Sequence, residues 1–136
     1  MSTTAAPGTR EVAESLYRAF LSGDAAGMLA LMADDVEVRF LGQAELHGRQ
    51  QTSRFLEFAG GLLRDVEFTL ERLVVDGEVA AGIWHESATT AAGAPWTNHG
   101  VDVIHVRDGR VVALHENNDV RAVHEHFPRY PQETAR

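Results

Sequence analysis

The stretch Val101–Asp119, VDVIHVRDGRVVALHENND, reads as two β-strands folded about Asp108-Gly109. Alternating Val, Ile and Leu mark the strands, and Asp-Gly is a strong hairpin signal because both residues tolerate positive φ. Yet the strands also carry Asp102, His105, His115, Glu116, Asn117 and Asn118. Buried ionisable and amide groups need partners or water, so one face of this hairpin is expected to be something other than core. The turn decides which residues share that face. A two-residue turn sets Arg107 against Arg110 and puts Asp102 on the side of His115. A three-residue loop with Gly109 left-handed groups Asp102, Ile104, Leu114, Glu116 and Asn118 on one face. Val101, Val103, His105, Val111, Ala113 and His115 then share the other. Asp-Gly suits both turns. Under the second, the first face has a carboxyl-rich centre inside an apolar rim, which is the character of a pocket floor. The opposite face, rich in β-branched residues, suits burial against a second copy, and a homodimer is expected through it.

Outward from the hairpin, the chain reads as one domain over residues 9–127, between tails at 1–8 and 128–136. Thr9 is a plausible N-cap for a helix carrying Val12, Leu16, Ala19 and Phe20 at helical spacing, and Gly23 closes it. Asp24 caps a second, short helix through Met32, and a third runs from Arg49 to Gly60. VEVRF (36–40) alternates as a strand, LGQAELHG (41–48) as loop. Further strands are expected at 66–75, 79–89, 97–107 and 111–119. Three N-terminal helices followed by an antiparallel meander make the fold class α+β.

Composition removes several functions. The chain has no cysteine, hence no disulfide, thiolate metal site or cysteine nucleophile. A net charge of −8 disfavours nucleic acid and anionic membranes. No apolar run approaches the roughly 18 residues of a membrane span, and MSTTAAPGTR lacks the apolar centre of a signal peptide. A cytoplasmic protein is expected. The seven histidines match no ligand spacing, so no metal is assigned.

The segments AFLSGDAAGMLALMADDVEV (19–38), HGR (47–49), LVVDGEVAAGIW (73–84) and GVDVIHVRDGRVVALHENND (100–119) resemble the nuclear-transport-factor-two-like superfamily. The SnoaL-like polyketide cyclase branch is the most similar, and the resemblance spans Val12 to Val123. It implies a cone-shaped α+β fold, three N-terminal helices packed on a strongly curved antiparallel sheet, with the ligand between the helices and the sheet. In the cyclases an acidic base stands on the last strand, at Glu116 here. Limonene epoxide hydrolases place a carboxylate there too, but their paired acid matches His85 and their arginine matches Ile83, so this chain departs from them. Ketosteroid isomerases match at Asp102, a protonated carboxyl in that family. Their tyrosine falls at Leu16 and their base near Phe40, so both essential groups are missing and the chain is not expected to be a ketosteroid isomerase.

Residue pattern and resemblance together make Glu116 the candidate base, a partly desolvated carboxylate with a raised pKa. Asp102 is a candidate proton-sharing partner, and His85 a candidate acid or oxyanion donor. Leu16, Phe20, Val38, Phe40, Phe58, Ile83, Ser87, Trp96, Asn98, Ile104, Leu114 and Asn118 are expected to line the substrate site, and Trp84 to be core. The expected function is a cofactor-free cyclase or isomerase acting on a polyketide-like or other hydrophobic carbonyl compound. It would work by aldol-type or epoxide-opening cyclisation. The competing reading is a non-catalytic binder or scaffold of the same fold.

Overall fold

A computed structural model describes residues 7–131. Helices α1 (Thr9–Leu21) and α2 (Ala25–Ala30) lead into strands β1 (Met32–Phe40) and β2 (Ala44–His47). Helix α3 (Gly48–Ala59) follows, then β3 (Leu63–Asp76), β4 (Val79–Thr90), β5 (Pro95–Arg107), β6 (Arg110–Asn118) and α4 (Val120–His126). The strands form one curved, unclosed sheet in the order β2-β1-β6-β5-β4-β3.

The α+β cone expected from the sequence is present, with differences of detail. Residues 44–47 form an edge strand on β1 rather than loop. A fourth helix follows β6, and β1 runs parallel to β6 in a sheet otherwise antiparallel. That parallel pair arises because α3 and the β3–β5 meander intervene between the two strands. Thr9 is the first helical residue rather than the cap, and its hydroxyl donates to the Gly77 carbonyl at 2.7 Å. Asp24 does cap α2, accepting from Gly27 N at 2.8 Å.

The β5–β6 hairpin combines both sequence-level alternatives. Arg107 opposes Arg110 across a two-residue turn, with Asp108 at φ 52° and Gly109 at φ 77°. One residue later the register shifts by a β-bulge between Val106 and His105, so that Ile104 faces Leu114 and Asp102 faces Glu116. The bulge turns Val111 inward, where it is fully buried against Val106. Val111 therefore leaves the outer face that the simple three-residue loop would have given it.

The core lies between the helices and the inner face of the sheet. Val12, Ala13, Leu16 and Tyr17 recur on one side of α1 and bury against β4 and β5. Phe55 of α3 stacks on Phe40 with ring centres 4.7 Å apart. Residues 128–131 do not behave as a loose tail, because Tyr130 packs edge-on against both Phe55 and Phe58 at 5.0 Å. Residues 1–6 and 132–136, the remainder of the expected tails, lie outside the described residues.

Two ring contacts of this kind contribute about 0.5–1.5 kcal/mol each beyond simple burial. Tyr130→Ala is therefore expected to lower unfolding free energy by about 1–3 kcal/mol in urea titration. An unchanged midpoint would show the segment to be dispensable.

Candidate active site

A cavity of about 170 Å³ lies between the helices and the sheet. Leu16, Tyr17 and Phe20 of α1, Phe55, Leu56 and Ala59 of α3, and Val123 and Phe127 at the far end of α4 form its roof. Its floor is drawn from alternate residues of the strands: Trp84 and Glu86 on β4, Trp96, Asn98 and Asp102 on β5, Leu114 and Glu116 on β6, and Phe40 on β1. Aromatic rings make much of the wall, with Phe68 stacked on Trp84 at 5.6 Å and touched edge-on by Phe20 at 5.0 Å.

Two carboxyls meet at the centre. Asp102 and Glu116 are cross-strand partners, and Phe40 lies beside Glu116 in the parallel pairing with β1. Asp102 accepts two hydrogen bonds, from the Tyr17 hydroxyl at 2.7 Å and from Trp84 Nε1 at 3.1 Å. Glu116 accepts one, from Asn118 Nδ2 at 2.8 Å. Two glycines make this arrangement possible. A Cβ at Gly82, opposite Asp102, would sit 2.0 Å from the Tyr17 oxygen, and one at Gly100 would sit 1.9 Å from the Asn117 carbonyl oxygen and 2.8 Å from the Trp84 ring. Both donors reach Asp102 through space that any other residue would fill.

The profile of the SnoaL-like domain family matches residues 13–114. The chain belongs to the SnoaL-like domain family. Among solved structures it is similar to an NTF2-like protein of unknown function from Burkholderia pseudomallei K96243, at 20% identity over 88% of this chain and 98% of that one, TM-score 0.79. It is also similar to TerC co-crystallised with polyporic acid, at 21% identity over 87% and 96% of the two chains, TM-score 0.76. A third is an LEH-like epoxide hydrolase from M. tuberculosis, at 19% identity over 87% of each chain, TM-score 0.71. At these identities the likeness establishes the fold, which hosts many chemistries. No curated protein matches the sequence.

Electrostatics in the SnoaL-like pocket follow from burial. Loss of hydration raises the Glu116 pKa well above the ordinary carboxyl range, and the neighbouring Asp102 charge raises it further. Burial also raises Asp102, opposed by the hydrogen bonds from Tyr17 and Trp84 that favour its ionised form. The Tyr17 hydroxyl is pushed far up by burial and by Asp102, and so stays a donor. Glu86 is raised by burial too, partly offset by its hydrogen bond from Trp96 Nε1 at 2.8 Å.

The structure redistributes the residues singled out from sequence. Leu16, Phe20, Phe40, Trp96, Asn98 and Leu114 line the cavity beside Asp102 and Glu116. Asn118 does not reach its wall but supports Glu116 and also donates to the Leu41 carbonyl at 3.1 Å. Val38 and Ile104 are buried in the core, and Phe58 packs on Phe55 and Tyr130 instead of facing the cavity. His85 is the principal correction. It is exposed on the opposite face of the sheet and paired with Glu71, and Ile83 and Ser87 share that face. The cause is register. β4 meets β5 with Gly82 at Asp102, Trp84 at Gly100 and Glu86 at Asn98, so the even-numbered residues of β4 point inward.

Tyr17, Trp84 and Glu86 were the residues that sequence reasoning missed. Tyr17 follows the position assigned to the isomerase tyrosine by one residue, and Ala13 one helical turn before it shares its buried face. For β4 the available signal was the pair of glycines, Gly82 and Gly100, set two residues out of phase along facing strands. Among the described residues no group of three His, Asp or Glu side chains is disposed to hold a metal ion, and no helix is long and apolar enough to cross a membrane.

A carboxyl whose pKa is raised on folding keeps a proton that the unfolded chain has lost. Stability is then fully present below the unfolded pKa of about 4.3 and falls as pH rises toward the folded pKa, by up to about 1.4 kcal/mol per pH unit. Glu116→Gln keeps the acceptor for Asn118 and cannot ionise. Its melting temperature is expected to exceed that of the native chain by a margin that grows from pH 4.5 upward and vanishes below it. Calorimetric scans giving a constant or shrinking margin would place Glu116 in solvent.

Proposed function

We propose that the protein is a cofactor-free acid–base catalyst, an isomerase or cyclase that abstracts a proton next to the carbonyl of a hydrophobic substrate. The observation that carries this reading is the Asp102–Glu116 pair, face to face across two strands within reach of the Tyr17 hydroxyl in an aromatic cavity. The cyclisation of a polyketide-like chain and the opening of an epoxide by an internal hydroxyl both draw on the same groups. In the second, Glu116 deprotonates the attacking hydroxyl and the donors protonate the epoxide oxygen. TerC, crystallised with polyporic acid, and the M. tuberculosis epoxide hydrolase lend support only as proteins of the same fold.

The roles follow from proton affinity. Without substrate, the two donors on Asp102 draw the negative charge of the pair to it and leave the proton on Glu116. A substrate carbonyl that takes the Tyr17 hydrogen bond removes one donor from Asp102. Asp102 then binds the proton more tightly and Glu116 becomes the carboxylate. Glu116 takes the proton from the adjacent carbon, while Tyr17 and protonated Asp102 donate to the developing enolate oxygen. Returning that proton to another carbon completes an isomerisation, and attack of the enolate on a second carbonyl completes an aldol closure. Apolar neighbours exclude the water that would otherwise level these affinities.

A bicyclic aromatic ketone such as α-tetralone tests the first step without knowledge of the natural substrate. The native protein in D₂O is expected to exchange the protons next to the carbonyl, followed by NMR. Glu116→Gln should slow exchange by about 10²–10⁴ and Tyr17→Phe by about 10²–10³, with ketone binding retained in tryptophan fluorescence. Binding without exchange in the native protein would instead make it a non-catalytic binder.

We further propose that a second copy covers the outer face of β5 and β6. Val101, Val103, His105, Val112, Ala113 and His115 lie there half-buried, with the two histidine rings 6.1 Å apart. Burial, Arg39 and His105 all hold the His115 pKa below its ordinary value, so protonation would put charge into the contact only on acidification. Light scattering is expected to give a dimer at micromolar concentration and a monomer for Val103→Glu. A monomeric native chain would reject it.

A further inference from the structure

The mechanism uses two of the cavity's three carboxyls and leaves Glu86 without a task. Glu86 stands on β4 opposite Asn98, two inward positions along the strand from the Gly82–Asp102 pair. Its Oε2 accepts from Trp96 Nε1 at 2.8 Å. Asn98, beside it, spends its Oδ1 on the backbone N–H groups of His99 and Asp119 at 2.8 and 2.9 Å. A core-facing glutamate that merely held Trp96 in place would be an expensive device, since a neutral glutamine would do the same.

Charge in the cavity is one-sided. The chain has twelve arginines and seven histidines, yet among the described residues the lining has three carboxyls and no arginine or histidine. Around Glu86 the wall is aromatic: Trp96 stacks on Phe127 with ring centres 4.4 Å apart, and Trp84 is the next inward residue on the same strand. Ring faces and carboxylates attract cations and repel anions, most strongly where water is excluded. A neutral ligand gains only apolar contact from this wall, and an anionic one is penalised by it.

We infer that the cavity takes a hydrophobic substrate bearing a cationic nitrogen, held by Glu86 and the aromatic wall beside it while the reactive carbon lies against Asp102 and Glu116. This rests on the reading of the cavity as the substrate site, and it adds the substrate class. Glu86 is then a specificity residue that takes no part in proton transfer.

Three probes with one bicyclic body separate the charge states: 2-naphthylmethylamine as the cation, 2-naphthylmethanol as the neutral form and 2-naphthoate as the anion. Calorimetric titration of the full chain at pH 7 should find the amine bound about tenfold or more tighter than the alcohol, and the naphthoate weakest. Glu86→Gln keeps the acceptor for Trp96 and should bring the amine down to the affinity of the alcohol. Retained alcohol binding in that variant shows the pocket to be intact. An amine that binds no better than the alcohol, an advantage that survives Glu86→Gln, or preferred binding of the naphthoate would each overturn the inference. Because the readout is binding, it stands or falls apart from deuterium exchange: a charge preference without exchange leaves this inference in place and removes the catalytic one.

Discussion

One register holds this cavity together: Asp102 lies directly across from Glu116 on neighbouring strands of a curved sheet. That pairing is produced by two local devices in series. Asp108 and Gly109 accept positive φ and close a two-residue turn, and a bulge one residue later restores the parity that the turn would have broken. Without the bulge, Glu116 would project from the outer face and His115 would enter the core. A single extra residue therefore decides whether the sheet presents a carboxyl pair or an imidazole to the helices.

Burying two carboxyls costs free energy, and the surrounding residues show how the cost is contained. Tyr17 and Trp84 satisfy Asp102 with donors from a helix and from the adjacent strand. Asn118 does the same for Glu116 from two residues along its own strand. Each donor needs room, and for Asp102 the room comes from absent side chains at Gly82 and Gly100. The glycines that weaken β4 and β5 as strands are what bring the polar cluster together.

Remaining stability comes from rings. Phe40, Phe55, Phe58 and Tyr130 form a contiguous set at one end of the cavity, and Phe20, Phe68, Tyr17 and Trp84 another. Phe40, Phe55, Phe20 and Phe68 line the cavity without donating to the carboxyls, and Tyr17 and Trp84 also donate to Asp102, so the rings stabilise the fold and shape the proton affinity of the site together. Structural packing and the chemistry of the pocket are in this sense one feature.

Local pattern determined a good deal of this protein from sequence alone. Helical spacing in α1, the Asp24 cap, period-two alternation in the meander and the Asp-Gly turn each depend on neighbours within a few residues, and they suffice for an α+β pattern; the cone shape came from the family resemblance. The last hairpin was legible for the same reason, but which of its residues share a face with Asp102 was not, because Asp-Gly suits either turn. What only the tertiary structure decided depends on contacts between distant segments. The β4–β5 register turned His85, Ile83 and Ser87 outward and Trp84 and Glu86 inward, because the connection over residues 91–94 carries no turn signal that fixes parity. Likewise, Tyr17 meets Asp102 across 85 residues of sequence, and Tyr130 meets Phe55 across a comparable span. Side-chain periodicity gives the faces of a helix or strand, but which face meets which is settled by the packing of the whole chain.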